Sequence, residues 1–299
     1  MGWHEARYNP VVSDRPLRSS RPDTREVAEL KQLKLAQPAL ASAVDMQIEL
    51  LAVQRRVQAR VPLPWIQPDP QRLAADRETG SPVARFGDIP LDWTDFRLAL
   101  RQTSDILRRH EAMSHQEHQQ IVALGRDGNA LEPLVTDWYT RTSSAKTHGP
   151  RGLVSERTPP IFEQVLVLSL RPFLSRCAEV LLQKADFSGW SRGHCPVCGW
   201  EPDFAVITHD GERHLVCGRC LAQWLFDQLA CPYCGNSDVT RITSFATRDG
   251  QYRVTGCDAC HRYVKAFDAR RATRPVLIAV DSIATLPLDA LAMQRGYSE

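Results

Sequence analysis

Nine cysteines occur in this 299-residue chain, and eight of them stand as four CxxC pairs: Cys195/Cys198, Cys217/Cys220, Cys231/Cys234 and Cys257/Cys260. A single CxxC serves equally as a redox dithiol, half of a metal site, part of a disulfide framework or a haem attachment point. Four in succession point to metal. Four thiolates closing at about 2.3 Å around one ion supply folding energy directly, which suits segments too short to bury a core of their own.

The spacing also carries a repeat. Eighteen residues separate Cys198 from Cys217 and include THDGERH, and twenty-two separate Cys234 from Cys257 and include TRDGQYR. Each insert has β-prone residues on both sides of Asp-Gly, a dipeptide that supplies the positive φ of a tight hairpin turn. Each unit therefore reads as knuckle, hairpin, knuckle, and two units imply two metal ions per chain. Pairing in chain order assigns Cys195, Cys198, Cys217 and Cys220 to one ion and Cys231, Cys234, Cys257 and Cys260 to the other, because each hairpin then returns its strand to its own site. A cross-braced arrangement, first pair with third, is the alternative. Gly199 and Gly235, which follow CPVC and CPYC, are placed to take the positive φ that turns backbone amides toward sulfur.

A set of four thiolates suits zinc or iron alike. It leaves no open coordination position for water or substrate, so the chain is not expected to be an enzyme. No nucleophile elbow, P-loop or dinucleotide fingerprint is present. CDACH, residues 257 to 261, also spells a haem-attachment signature, but membership of the repeat already accounts for both cysteines and leaves His261 packed or solvated. His194, His209 and His214 read as turn or strand residues.

The elements that must hold these knuckles lie before them. All paired cysteines follow residue 190, and the region from 25 to 188 has helical spacing and only Cys177. Thr24 is a candidate cap for a helix through Val27, Leu30 and Leu33, and Pro38 for the start of a second carrying Leu40, Val44, Ile48 and Leu51. Six prolines between residues 61 and 92 predict a long irregular crossover, after which helical spacing resumes with Trp93, Phe96, Leu100 and Leu107. A polar loop is expected at 143 to 160. Beyond it, Phe173, Cys177, Val180 and Leu181 share one helical face, which makes Cys177 a core residue. The fold class is α+β, with a helical domain ahead of two small four-cysteine subdomains.

Composition sets limits on function. The chain has a formal net charge of +2, no apolar leader in its first two dozen residues and no stretch long enough to span a membrane. It reads as a soluble cytoplasmic protein, in a compartment that keeps thiols reduced. From 191 to 275 there are eleven Arg and Lys against nine Asp and Glu; eight thiolates and two divalent ions bring that segment to −2, which gives a zinc-ribbon nucleic-acid binder no electrostatic grip on phosphates. A rubredoxin-like electron carrier or thiol redox protein is the other alternative.

Taken together, the four CxxC pairs, Trp224 within CGRCLAQWLFDQLACPYC, RYVKAFD after the fourth pair, and ATLPLDALAMQRGY at 284 to 297 resemble the formate dehydrogenase accessory protein family, FdhE. The resemblance implies a cytoplasmic protein with a helical domain and two rubredoxin-like or zinc-ribbon-like metal sites, needed for active respiratory formate dehydrogenase and binding its catalytic subunit before export. The expected organisation is a disordered or extended tail at 1–24, a helical domain at 25–188, metal subdomains at 189–228 and 229–275, and a C-terminal segment at 276–299 whose Asp281, Leu286, Leu288, Asp289 and Leu291, by the resemblance, dock the helical and metal domains or the client. Docking within the chain is the expectation for that segment. The chain departs from the family pattern at Gln223 and Gln228, where an acidic residue and an arginine are expected.

Overall fold

The computed structural model describes residues 24–143 and 159–298. The expected tail before Thr24 and nearly all of the expected 143–160 loop lie outside the described residues.

Helix α1 (Arg25–Ala36) starts after Thr24, whose side chain makes no capping bond, and a single 3-10 turn opened by Pro38 leads into α2 (Ala41–Gln58). The stretch expected to be irregular contains a helix, α3 (Pro70–Thr79). Its cause is local. Asp69 accepts hydrogen bonds from the amides of Gln71 and Arg72 at 3.2 and 3.3 Å, Pro70 occupies the first turn where its missing N–H costs nothing, and Gly80 ends the helix at φ 72°. Proline density hid a sound start signal.

Helices α4 (Trp93–Arg109), α5 (His115–Arg126), α6 (Gly128–Thr142) and α7 (Pro160–Lys184) form the body of the helical part. Phe96, Leu100 and Leu107 face inward, as their spacing predicts, against the Phe173, Leu174 and Leu181 side of α7. Each such Leu or Phe contributes about 1.5–3 kcal/mol relative to exposure. Cys177 lies fully buried among them, and burial pushes its thiol up to about 12, so it is a core residue held as the neutral thiol. No helix among the described residues is long and apolar enough to cross a membrane.

The cysteine half forms one six-stranded sheet, β3-β2-β1-β6-β5-β4. In the first unit β1 (Pro202–Ile207), β2 (Arg213–Cys217) and β3 (Gln223–Phe226) are antiparallel neighbours, and the second repeats the order with β4 (Ile242–Ala246), β5 (Tyr252–Cys257) and β6 (Arg262–Asp268). Both Asp-Gly turns are where the repeat predicts them, with Gly211 at φ 87° and Gly250 at φ 73°. The units join through parallel pairing of β1 with β6, Phe204 opposite Lys265 and Ile207 opposite Asp268. The two expected subdomains therefore share a sheet, and the first also shares a core with the helices.

The C-terminal segment docks within the chain. Helix α8 (Ile278–Ala284) sets Val280 and Ile283 against Leu30, Leu40 and Val44, while α9 (Leu286–Gln294) sets Leu288 and Ala292 against Val254 and Tyr263 of the second unit. Buried carboxylates fix both helices. Asp281 accepts from the Tyr252 hydroxyl at 2.7 Å and the Leu277 amide at 2.7 Å, and pairs with Arg274. Asp289 accepts from Tyr263 at 2.8 Å and from Lys265 Nζ at 2.6 Å. Asp289→Ala strands the Lys265 ammonium in the interior, a loss worth about 3–5 kcal/mol. We expect α9 to open first, seen as faster amide exchange across Leu286–Gln294; exchange at the native rate would show that the pair does not hold the helix.

Candidate metal centres

Four knuckles carry the eight sulfurs, and each turns the same way. The residue after the second cysteine is left-handed in all four, with Gly199 at φ 72°, Leu221 at 63°, Gly235 at 73° and His261 at 54°. Its amide reaches back to the carbonyl of the first cysteine at 2.9, 3.2, 2.9 and 2.8 Å respectively. Gly199 has a second reason to be glycine: a Cβ there would come within 2.7 Å of the Ser143 carbonyl. Leu221 and His261 accept a conformation that costs a side-chain-bearing residue about 1–2 kcal/mol, and sequence offered no sign of it. His261 is exposed in its knuckle, as the solvated reading predicts.

The sulfurs gather in chain order. Cys195, Cys198, Cys217 and Cys220 form one set and Cys231, Cys234, Cys257 and Cys260 the other, all sulfurs of a set lying within 4.8 Å of one another. Cys195 and Cys220 are 3.5 Å apart, as are Cys198 and Cys217; Cys231–Cys260 and Cys234–Cys257 are 3.7 Å apart. Sulfurs at tetrahedral corners about 2.3 Å from a common ion stand about 3.8 Å from each other. A disulfide needs about 2.05 Å. The donor set and its dimensions fit a four-thiolate metal ion in each cluster.

Protonation gives the same answer. Burial pushes the Cys195 and Cys220 thiols well above their ordinary value. Burial opposes ionisation of Cys198 too, but hydrogen bonds from the Cys195, Cys217 and Cys220 sulfurs, with the Arg219 cation, hold it well below. In the second set burial pushes Cys231 to about 11 and Cys260 upward, whereas at Cys257 the amides of Ala259 and Cys260 overcome burial and lower it. Within each set the shifts run in opposite directions, as they do where like charges would crowd one site. A divalent cation resolves that conflict for all four.

The first cluster is enclosed by the helical part. The amides of Val83 and Ala84 donate to the Pro196 and Val197 carbonyls, both at 2.9 Å, so the crossover stretch hydrogen-bonds the first knuckle. Arg171 of α7 donates to the Gly218 carbonyl of the second at 2.5 Å. Inside CGRC, Arg219 is fully buried with its guanidinium 4.5 Å from the Tyr139 ring centroid, 4.8 Å from Trp200 and 5.4 Å from Trp138. It donates to Thr142 Oγ1 at 3.0 Å, to Ser143 Oγ at 2.7 Å and to the Cys198 carbonyl. Sequence reasoning missed this residue, because the aromatic cage comes from positions remote in the chain.

The second cluster sits at the surface: Cys234 is exposed and Cys260 half-exposed. Beneath it Arg262 binds Glu201 through two bonds of 2.8 Å and stacks 3.6 Å from the Tyr233 ring centroid, which ties the third knuckle to the first unit.

No family model matches the chain. Among curated proteins it is 31% identical over 137 residues to a "Protein FdhE homolog" of Aquifex aeolicus, covering 44% of this chain and 47% of that protein. It is 34% identical over 152 residues to one of Shewanella sp. strain MR-4, covering 49% of each, and 30% identical over 113 residues to "Protein FdhE" of Escherichia coli O1:K1, covering 37% and 36%. The crystal structure of the FdhE protein from Pseudomonas aeruginosa superposes with a TM-score of 0.55 over 92% of this chain and 91% of that one, at 21% identity. The chain is similar to FdhE proteins in sequence over about half its length and in fold over nearly all of it. The matches to the first of these curated FdhE relatives span about half their length; the solved FdhE structure adds likeness of fold across nearly all of the chain. The stretches that suggested FdhE have definite places: RYVKAFD is β6, ATLPLDALAMQRGY spans α9, and buried Trp224 donates from Nε1 to the Arg192 carbonyl at 3.0 Å. Of the two departures from the FdhE pattern, Gln223 is exposed on strand β3 and Gln228 donates to the Gly211 carbonyl at 2.5 Å, pinning the first hairpin turn.

Proposed function

We propose that this chain is a non-enzymatic accessory protein in the maturation of a respiratory formate dehydrogenase, acting in the cytoplasm and binding the catalytic subunit before export. Each four-cysteine set holds one metal ion, iron or zinc. The observation that carries the reading is the pair of four-cysteine clusters on one sheet, in a chain similar to FdhE proteins. A cluster of four cysteines has no position left for substrate, and the surface pocket lined by Ile121, Leu124, Leu134 and Phe162 is mostly apolar. Both favour binding over catalysis. Deleting the gene is expected to abolish formate dehydrogenase activity while the enzyme's polypeptide still accumulates, measured by activity staining and immunoblot of the same extracts; normal activity would remove the proposal.

The exposed Cys234 lends some support to a second reading, a rubredoxin-like electron carrier or thiol redox protein. Metal content and visible absorption of protein purified without oxygen separate the two. Iron whose absorption bleaches and returns with reductant and air favours redox work; colourless, air-stable zinc favours a scaffold.

A further inference from the structure

We propose that the two centres exchange metal by different routes: the Cys231/Cys234/Cys257/Cys260 centre directly with thiolate or chelating ligands in solution, the Cys195/Cys198/Cys217/Cys220 centre only when the helical part opens. The proposal rests on the metal-binding reading of both clusters.

Access is the first difference. The four sulfur-bearing residues of the first set are 0–1% exposed and belong to the same core as Leu174 and Trp138. In the second set Cys234 is exposed and Cys260 half-exposed, Gly235, Ala259 and His261 around them are exposed, and a Cβ added to Gly235 would meet nothing within 4 Å. An incoming thiolate reaches that ion from solvent. Its sulfur donates the electron pair of the new metal–sulfur bond, and the departing Cys234 sulfur keeps the pair of the bond that breaks.

Charge is the second difference. The repeat aligns CGRC with CDAC, so Ala259 holds the position that Arg219 holds in the first unit. A divalent ion with four thiolates carries two net negative charges; in the first centre a buried guanidinium bonded to hydroxyls and a carbonyl lies beside them. The second centre's position is an exposed alanine, and water screens its charge. The third difference is tethering. Backbone bonds from Val83 and Ala84 and the side-chain bond from Arg171 must break before a knuckle of the first set can swing out, so exchange there waits on local unfolding.

The test uses the full chain loaded with zinc, after metal analysis has established two ions per chain. EDTA is added with iodoacetamide, zinc release is followed in time, and alkylated cysteines are mapped by mass spectrometry. One equivalent is expected to leave at least about a hundredfold faster than the other, with Cys234 and Cys260 alkylated in step with it and Cys195 and Cys198 only in the slow phase. Cys234→Ser is expected to abolish the fast phase and keep the slow one. Release of both equivalents in one phase, or early alkylation of the first set, overturns the proposal. Fewer than two ions in the starting protein overturns the metal reading beneath it.

Discussion

Changing Cys195 and Cys198 together to serine is expected to release one metal ion per chain and to loosen the helical part as well as the knuckle. Both sulfurs lie in the cluster that contains Phe173, Leu174 and Trp138. Their centre is thus a piece of the main core. A structural zinc contributes about 10–16 kcal/mol of apparent binding energy in small domains, while whole proteins keep only about 5–15 kcal/mol of net stability. Loss of the first ion therefore removes an amount comparable to the whole, and a broad, early thermal transition by circular dichroism is expected. Cys231→Ser with Cys234→Ser also loses one ion, but from the periphery. Its helical melting transition is expected to stay close to that of the parent chain. Metal analysis on each double variant checks the stoichiometry: one ion retained in both is what two four-thiolate sets per chain require. Two ions retained in the first variant would sink the four-thiolate account of that cluster.

How far these features were legible depended on how local their causes are. The ligand sets, the Asp-Gly hairpins and the glycines of CPVCG and CPYCG are set within a few residues, and spacing alone announced them. Helix α3 was legible too, from Asp69, Pro70 and Gly80, but surrounding prolines outweighed that signal. Strand β6 is a different case. All seven of its residues are buried, yet RYVKAFD contains three charges and does not look like an interior strand. The charges are tolerated because each is paired: Arg262 with Glu201, Lys265 with Asp289, and Asp268 with Arg253 and Arg270. None of those partners except Arg270 is near in sequence. The same is true of the parallel pairing of β1 with β6, which makes one sheet of two repeats and which no local pattern encodes.

Arg219→Met tests whether charge, in addition to enclosure, holds the first centre. The guanidinium is fully buried among Trp138, Tyr139 and Trp200, with hydroxyl and carbonyl acceptors and, among the described residues, no carboxylate as a hydrogen-bond partner. Cys198 and Cys217 of the first set lie close enough to act on its charge, and a divalent ion held by four thiolates would give the buried cation a doubly negative neighbour. Methionine fills a similar volume without the charge. Removing one member of a buried ionic pair costs about 3–5 kcal/mol, and in a protein of this size each kcal/mol moves the melting temperature by a few degrees, so a fall on the order of 10 °C is expected. Arg219→Lys is expected to fall in between, since an ammonium keeps the charge but loses the planar fork that spans Thr142, Ser143 and the Cys198 carbonyl. The decisive comparison repeats Arg219→Met in the Cys195→Ser, Cys198→Ser background, read by denaturant titration. With the negative centre gone, the arginine becomes an uncompensated buried charge, and its replacement should then be neutral or stabilising. Equal losses in both backgrounds would mean that Arg219 acts through packing and hydrogen bonds alone. A loss only where the thiolates are present means that the cage exists to balance the metal centre.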